Sequence, residues 1–572
     1  LRGLFKMGKK MASASDRVSI EIIQNSVQAA ADEMFSAMQR TAMSAIIYEV
    51  LDMGTGITDG KGNLVGSGAG IPTFVGMLDK AVTKVIQAFP GPDAVCDGDI
   101  FMVNDPYSGG VTHLNDVILC MPVFSGNQVV AWTSNAAHWN DIGGMAPGSM
   151  TTAATEIFQE GIQIPPIKLF SAGKLQQSVL DILKANCRMP DFLEGDLWAG
   201  VASLRVGEKR LSQMVDRYGA DLFIEALEEY LSYGEHVTLA ALKQLPNGRF
   251  EFTERQDNGL DYKVSIQISD DKFVVDLRDN PKQYEGPYNL SRDGVVIAAQ
   301  MILKSVTSPH TVCNSGSFRP LEVLTSPGTV FDPLHPAPMA FYYETRIRAH
   351  DLIWQALAEV APDRLPSGHF SSICGTMIGG VHPETGRHYS IIEPEAGGWG
   401  GSLEKDGNSA MFSACHGETY NCPAEINEMR NGILVEKFAL NNDDGGEGQY
   451  RGGKGICMEY RICSDNAWLT AAYTRAETHP WGINGGSKGS LNYIEVLQQD
   501  LPAERYASVS GLILQKGDVV RIVTANGAGW GNPRNRDPEE IRGDIENDYL
   551  TVEQARLFYG YVDLVKQRCS LL

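Results

Sequence analysis

Apolar and polar positions alternate along the N-terminal third of the chain in patterns that predict both helices and strands. The spacing from Ser19 to Ala42 predicts a helix with one apolar stripe. Residues 56–66, GITDGKGNLVG, predict a hairpin because Asp-Gly and Lys-Gly steps separate two short apolar runs. After a short apolar run at 100–103, the segments VILCMPVF (117–124) and VVAWTSNA (129–136) flank a turn and predict a second hairpin.

The rest of the chain alternates between helical and strand-like blocks. Residues 175–245 have a helical pattern, 249–277 alternate as an antiparallel meander does, and 295–306 and 350–360 predict two further helices. The last 200 residues are rich in glycine and short strands, with a final helix at 551–558. This order predicts an α+β fold with mixed, mainly antiparallel sheets.

The length of 572 residues exceeds what one hydrophobic core accommodates, so we expect several lobes. The pattern suggests an N-terminal α+β lobe at 1–170 and a helical segment at 171–247. A β-meander with helices would follow at 248–400, and a glycine-rich β lobe at 401–572.

Charge and cysteine content exclude several classes of protein. A net charge of −22 argues against nucleic-acid or anionic-membrane partners, which need clustered Lys and Arg. No apolar run reaches the roughly 18 residues that a membrane span needs. The ten cysteines are scattered without a C-x-x-C motif, which indicates free thiols and a cytoplasmic protein.

The second hairpin contains the most informative polar residues. With a two-residue loop at Gly126-Asn127, paired residue numbers sum to about 253. Asp116 then lies opposite Ala137, and His138 lies opposite Asn115. His113, Asp116 and His138 therefore converge at the open end of the hairpin, with Asp105 and Asp141 nearby. Two imidazoles and a carboxylate suit a divalent metal; the alternative is that these are polar loop residues that satisfy turns.

Other motifs carry less information. The glycines of GSGAG (66–70) precede Ile71-Pro72 rather than an evident helix start, so we predict a turn and not a phosphate-binding loop. No G-x-x-x-x-G-K-[ST] motif occurs. Residues 415–418, Cys-His-Gly-Glu, are a candidate reactive group, although a buried thiol is the preferred interpretation.

Several segments together resemble the hydantoinase B/oxoprolinase family. This family includes one half of bacterial 5-oxoprolinase and subunits of N-methylhydantoinase and caprolactamase, and it is related to acetone and acetophenone carboxylase subunits. The matching segments occur in the family's order from about Val18 to Val562. They are QRTAMSAIIYEVLD (39–52), GDIFMVNDPYSGGVTHLNDV (98–117), AAHWNDIGG (136–144), EIFQEGIQIPP (156–166), RPLEVLTSPGTVFDP (319–333), APDRLPSG (361–368), YRGGKG (450–455), TRAETHPWGINGG (474–486) and GAGWGNP (527–533).

The resemblance implies a metal-dependent subunit of a two-component enzyme that opens a cyclic amide. Its metal ligands would be His113, Asp116 and His138, with Asp52 of the EVLD segment as a fourth. The metal would be Zn²⁺, with Mn²⁺ or Fe²⁺ as alternatives. A hydantoinase A-type partner would bind ATP and phosphorylate the carbonyl oxygen, in a heterotetramer of two plus two chains. The candidate general bases are Glu160, Asp105 and Asp141.

Two positions depart from the common pattern of the family. Many relatives have I-P-x-H-x-G-x-M, whereas this chain reads IPTFVGM, with Phe74 at the histidine position. Tyr48 replaces the usual basic residue before Glu49. Both changes fall near the expected site, and an apolar or aromatic pocket wall suits a less polar ring than hydantoin.

Two other functions are compatible with these residues. In a ketone carboxylase of the acetone or acetophenone type, ATP would activate bicarbonate or an enol, and the metal would stabilise an enolate. In an assembly subunit, the metal would be structural and the partner would perform the chemistry. A structural zinc site has four protein ligands, whereas a catalytic one leaves a position open.

Overall fold

A seven-stranded antiparallel sheet dominates the N-terminal part of the computed structural model. The model describes residues 14–562 apart from positions 92, 109, 359, 418, 499 and 500. The strands lie in the order β2-β1-β5-β4-β3-β6-β7. They are β1 Met53–Asp59, β2 Leu64–Gly70, β3 Ile100–Val103, β4 Asp116–Ser125, β5 Gln128–His138, β6 Ile167–Ser171 and β7 Lys174–Leu175. Both predicted hairpins, β1–β2 and β4–β5, are confirmed.

Helices cover both faces of this sheet, which explains why its central strands are buried throughout. Alternate residues of β4 belong to two different cores: Val117 and Leu119 pack with the long N-terminal helices, while Ile118 and Cys120 pack with a helix on the opposite face. The helices are α1 Ala14–Thr41, α2 Ala45–Tyr48, α3 Pro72–Ala88, α4 Gln177–Asn186, α5 Pro190–Tyr218 and α6 Ala220–Leu242. The helical prediction for 19–42 and 175–245 is confirmed.

The glycine cluster at 66–70 does not form the turn predicted from sequence. It lies inside β2, and α3 begins two residues later at Pro72, so the expectation that no helix follows was also wrong. The glycines allow α1 to approach the sheet closely. A Cβ atom on Gly68 would lie 2.5 Å from the carbonyl oxygen of Ala31, which no larger residue tolerates.

The register of the β4–β5 hairpin differs by one residue from the prediction. Near the turn the paired numbers sum to 253, as for Phe124 and Val129, but beyond a β-bulge the sum is 254. Val130 is the extra residue in β5. As a consequence, Asp116 lies directly opposite His138, and not opposite Ala137 as predicted.

A second, four-stranded sheet follows in the order β11-β10-β9-β8, with β10 and β11 parallel. Its strands are β8 Gly248–Arg255, β9 Asp261–Ile268, β10 Phe273–Asp276 and β11 Leu321–Leu324, and its helices are α7 Arg292–Thr307 and α8 Tyr342–Ala358. Helix α8 begins eight residues before the predicted start at His350. Its first two turns bury the charged residues Glu344, Arg346 and Arg348. The buried face of the helix therefore lacks the apolar spacing by which a helix is predicted from sequence.

Two further sheets in the C-terminal part share one hydrophobic core. Their orders are β13-β12-β16-β19 and β14-β15-β20-β17-β18. The strands are β12 Gly375–Val381, β13 His388–Glu393, β14 Ile433–Leu440, β15 Ile456–Ile462, β16 Ala467–Ala472, β17 Tyr493–Leu497, β18 Glu504–Tyr506, β19 Ser508–Leu514 and β20 Val519–Val523. The helices are α9 Ala424–Arg430, α10 Pro538–Glu546 and α11 Val552–Gln554, which continues as a π-helical turn at Ala555–Tyr559.

The architecture confirms the predicted α+β class with mainly antiparallel sheets. In the part of the chain that the structure describes, no helix is both long and apolar enough to cross a membrane. The nine cysteines among the described residues are free thiols, as predicted.

Candidate metal centre

Three polar side chains form a row across adjacent strands of the seven-stranded sheet. Asp116 begins β4 and pairs with His138 at the end of β5. Asp52 precedes β1, and its carbonyl oxygen accepts a hydrogen bond of 3.1 Å from the His138 backbone N–H. Side chains paired across antiparallel strands lie on the same face of a sheet, so the row faces α3.

His113 completes the group from the loop before β4. Its Nε2 lies 3.1 Å from Asp116 Oδ1, and its ring centroid lies 5.1 Å from that of His138. One potential ligand atom from each of His113, Asp116 and His138 lies within 4.8 Å of the others. Asp52 lines the same cavity but is outside this tight cluster. The three residues predicted from the hairpin are therefore together.

A layer of hydrogen bonds fixes the orientation of the cluster. Asp116 Oδ2 accepts hydrogen bonds from the hydroxyls of Thr112 and Tyr342, the latter at 3.2 Å. His113 Nδ1 lies 2.9 Å from the carbonyl oxygen of Ala340. That peptide segment is held by Glu160, whose carboxylate accepts the N–H groups of Met339 and Ala340 at 2.9 and 2.8 Å. Such outer partners orient histidine ligands in metal sites.

Unpaired polar atoms at the cavity test whether a metal ion fits. Asp52 Oδ1, His138 Nδ1 and His416 Nε2 are buried and have no hydrogen-bond partner. A buried polar atom without a partner costs about 1–3 kcal/mol, which a coordinated cation would offset. The donor set of imidazole nitrogens and carboxylate oxygens is one that Zn²⁺, Mn²⁺ and Fe²⁺ accept. The residues therefore fit a divalent ion.

The electrostatics of the cluster keep one histidine neutral. Burial and the neighbouring His113 lower the pKa of His138 to about 3, so its ring is in the form that ligates metals. Burial also acts to lower the pKa of His113, but the Asp116 carboxylate outweighs it and raises that pKa. Burial opposes ionisation of Asp116 as well, yet His113 lowers its pKa below the ordinary value. The pKa of Asp52 is raised by burial and by Asp116.

The cluster lies in the wall of a small, mainly apolar cavity of about 40 Å³. A much larger cleft of about 1000 Å³ lies next to this cavity, because Ile392 and Glu393 line both. The apolar walls of the small cavity are formed by Phe74, Met150, Tyr342, Tyr343, Ile373, Met377, Ile392 and Pro394.

The three carboxylates predicted as general bases do not line this cavity. Asp105 accepts hydrogen bonds from Tyr107, Ser108 and Gln163. Asp141 forms an ion pair of 2.9 Å with Arg188 and accepts backbone N–H groups. Glu160 is buried beneath the Ala340 peptide, and burial raises its pKa to about 7. Their assignment as bases stays a prediction, and their observed contacts are those of residues that position loops.

Several cavity residues had no clear signal in the sequence. His416 belongs to the Cys-His-Gly-Glu motif, but its place near Asp116 and His138 depends on long-range folding; burial and Arg346 lower its pKa to about 3. Cys415 is buried, as predicted, and burial raises the pKa of its thiol to about 11; Glu418 lies outside the described residues. Tyr342, Tyr343 and Glu393 had no local signal. Of the two departures from the family pattern, Phe74 lines the small cavity and Tyr48 the larger cleft.

Comparison with known sequences gives matches over nearly the whole chain. A profile described as hydantoinase B/oxoprolinase matches residues 16–533. An uncharacterized protein of Methanocaldococcus jannaschii is 32% identical over 559 residues, which is 96% of this chain and 97% of that protein. The B component of a putative D-/L-hydantoinase from Pseudomonas sp. (strain NS671) is 28% identical over 569 residues, with 95% of each chain covered.

Two solved structures share the fold. The crystal structure of an ATP-dependent caprolactamase from Pseudomonas jessenii superposes with a TM-score of 0.88 at 26% identity, and 97% of each chain is covered. A nucleotide-free acetone carboxylase gives a TM-score of 0.86 at 18% identity, over 96% of this chain and 80% of that one. The second similarity is one of fold alone.

Proposed function

This chain belongs to the hydantoinase B/oxoprolinase family, and we propose that it is the metal-bearing subunit of a two-component, ATP-dependent enzyme that opens a cyclic amide. Similarity to the B component of a putative hydantoinase and to an ATP-dependent caprolactamase supports this reaction class. The acetone carboxylase has lower sequence identity and supports only the shared fold. Ketone carboxylation is therefore the second candidate.

One observation carries the proposal: His113, Asp116 and His138 form a buried set beside Asp52, and His138 Nδ1 and Asp52 Oδ1 have no hydrogen-bond partner among the described residues. We propose these four as ligands of Zn²⁺, or of Mn²⁺ or Fe²⁺. When bound, the metal would supply Lewis-acid chemistry and lower the pKa of a water from ~15.7 towards ~7.

The chain's own residues prepare the site for this chemistry. Tyr342 and Thr112 hold the Asp116 carboxylate, and the Ala340 carbonyl holds the ring of His113. Burial keeps His138 neutral. The apolar wall, including Phe74 and Met150, excludes bulk water from the reacting carbon, which protects an activated intermediate from premature hydrolysis.

We further propose that activation takes place on a hydantoinase A-type partner that binds ATP and phosphorylates the amide oxygen. The sequence has no G-x-x-x-x-G-K-[ST] motif for the nucleotide phosphates. Unstrained lactams and hydantoins are poor electrophiles, and phosphorylation of the carbonyl oxygen makes the carbon reactive. We expect a heterotetramer of two such chains and two partners.

Reconstitution of the complex with a substrate panel tests the proposal. Plain lactams, hydantoins, 5-oxoproline and ketones are compared while ATP and bicarbonate are varied independently. ATP-dependent ring opening without bicarbonate is the expected result. A requirement for bicarbonate with every substrate would replace hydrolysis by carboxylation. Full turnover by a complex that contains His138→Ala and no metal would assign the site a structural role.

A further inference from the structure

Three arginines line the large cleft next to the metal cavity. Arg40 lies in the last turn of α1, Arg387 precedes β13, and Arg430 ends α9, so three separate elements bring them to one surface. The guanidinium of Arg430 lies 5.2 Å from the ring centroid of Tyr48, which holds it against the cleft wall. The cleft volume of about 1000 Å³ accommodates a small molecule.

The sign of charge in this cleft is opposite to that of the molecule. The chain has 70 acidic and 48 basic residues, whereas the cleft has three arginines and a single carboxylate, Glu393. Within the described part of the chain, the guanidinium groups of Arg40, Arg387 and Arg430 form neither ion pairs nor hydrogen bonds. Arg188, by contrast, forms an ion pair with Asp141. The three cationic groups are therefore available to a ligand.

The charged side chains that line the cleft are mainly basic, whereas those that line the metal cavity are acidic. The two spaces share Ile392 and Glu393 as wall residues. Glu393 is held at this junction by the hydroxyl of Tyr460 at 2.8 Å and by the backbone N–H of Cys422. Among the described residues, no lysine or arginine lines the inner cavity. An anionic group is thus favoured in the outer cleft, while an uncharged ring is favoured further in.

We propose that Arg40, Arg387 and Arg430 bind the phosphate group of a phosphorylated small molecule that arrives in the cleft on its way to the metal centre. Guanidinium groups bind phosphate oxygens through paired, charge-assisted hydrogen bonds. A local cationic surface also steers a dianion towards a protein whose net charge of −22 repels it. This inference rests on the proposed function, which supplies a phosphorylated cyclic amide as the ligand.

Direct binding of inorganic phosphate tests the assignment without any turnover. The full chain, treated with a chelator so that no metal ion binds the anion, is titrated with phosphate by calorimetry. We expect each of Arg40→Gln, Arg387→Gln and Arg430→Gln to weaken phosphate binding by about threefold to tenfold. This difference from the wild type should be smaller at high salt, because salt screens the charges. Lysine at the same positions restores part of the affinity. Arg292→Gln, an exposed arginine outside the cleft, is the matched control and leaves binding unchanged.

The reconstituted complex provides a second readout, the number of ATP molecules consumed for each ring opened. If the cleft captures the phosphorylated intermediate, the triple Arg→Gln variant consumes ATP at nearly the wild-type rate but opens fewer rings, so this ratio rises at least about fivefold. A purely structural defect lowers both rates together and leaves the ratio constant. All three arginine side chains are exposed, so we expect the variants to fold as the wild type does.

Two results would overturn the inference. One is equal phosphate affinity, or no saturable phosphate binding, in wild type and triple variant. The other is a loss of affinity for the partner subunit with phosphate binding unchanged, which would make the cleft an acidic-partner surface. If the complex opens no amide while phosphate binding depends on the arginines, the phosphate site stands and the proposed reaction is wrong. If rings open normally but phosphate binding does not depend on the arginines, the proposed reaction stands and the phosphate site is wrong.

Discussion

Asp52 and His138 are neighbours across the β1–β5 strand pair, with the backbone N–H of His138 bonded to the carbonyl oxygen of Asp52 at 3.1 Å. Because His138 in turn faces Asp116 on β4, two adjacent strands and the residue before a third present potential metal ligands at the same end of one sheet. A rigid sheet holds such groups more accurately than a loop does. His113 comes from the loop before β4, and the Ala340 carbonyl holds its ring in place.

This arrangement predicts that the purified chain holds about one divalent ion. Metal analysis of His113→Ala, Asp116→Ala and His138→Ala should show a large loss in each variant, because each removes one of the three clustered ligands. Asp52→Asn should weaken retention less, since Asp52 is outside the tight cluster.

Exposed residues of the same types provide the controls for this measurement. His236→Ala and Asp216→Ala lie on α6 and α5 and should retain the metal fully. Full metal occupancy in all three ligand variants would show that the cluster does not bind the ion.

The local pattern of apolar and polar residues predicts the part of the site that belongs to one hairpin. The alternation of β4 and β5 and the Gly126-Asn127 turn predicted that His113, Asp116 and His138 lie at the same end of the hairpin. The register was off by one because a bulge at Val130 has no distinct sequence signal. The error matters, because in the predicted register Asp116 and His138 would lie on opposite faces of the sheet. The bulge pairs them directly and so places both side chains on one face.

The remaining cavity residues depend on contacts that are distant in sequence. Asp52 reaches the site because β1 pairs with β5, and Tyr342 because α8 packs across the cavity. The start of α8 was missed because Arg346 is fully buried in a helix that reads as polar. Helix prediction assumes that charged residues face water, and here that assumption does not hold.

The isolated chain should hydrolyse neither ATP nor a lactam. It has no nucleotide phosphate loop in its sequence, and relatives that match it end to end are named as subunits. A coupled ADP-release assay on chain free of partner is the measurement, with the reconstituted complex as the positive control. ATP turnover by the isolated chain at a rate comparable to the complex would contradict the two-component design.

Glu160 should make the stability of the metal-free chain depend on pH. Burial raises its pKa from 4.5 to about 7, so the folded state binds a proton more tightly than the unfolded state does. The contribution of the protonated group is complete below pH 4.5 and is lost as pH rises towards 7, by about 3 kcal/mol in total. Urea unfolding at pH 5.0 and 7.5 measures this change.

Glu160→Gln removes this titration and serves as the comparison. The variant loses one of the two hydrogen bonds to the Met339 and Ala340 N–H groups, at a cost of about 1–3 kcal/mol at every pH. The stability difference between wild type and variant should therefore shrink between pH 5.0 and 7.5. Glu251→Gln, on the surface, controls for net charge. A difference that stays constant would mean that Glu160 is ionised throughout.

Phe74 should set the preference of the enzyme for an apolar ring. Its side chain is buried in the wall of the metal cavity, beside β1, where a Cβ on Gly54 would lie 3.0 Å from the Phe74 Cβ. A phenyl group offers no hydrogen bond to the second carbonyl of a hydantoin or the carboxylate of 5-oxoproline, and a site without such a partner leaves those groups unpaired. A plain lactam, or an aryl or alkyl ketone, should be turned over better.

Phe74→His is the direct test of this preference, because histidine fits the same space and adds a polar group to the cavity wall. We expect the ratio of kcat/KM for hydantoin to that for a plain lactam to rise by about tenfold or more. Phe74→Leu keeps the wall apolar and should leave the ratio near the wild-type value, which separates polarity from packing. If hydantoin or 5-oxoproline is already the best substrate of the wild-type complex without bicarbonate, the role assigned to Phe74 is wrong. Amide hydrolysis would stand in that case, because it rests on the similarity to a hydantoinase component and a caprolactamase and not on the cavity wall.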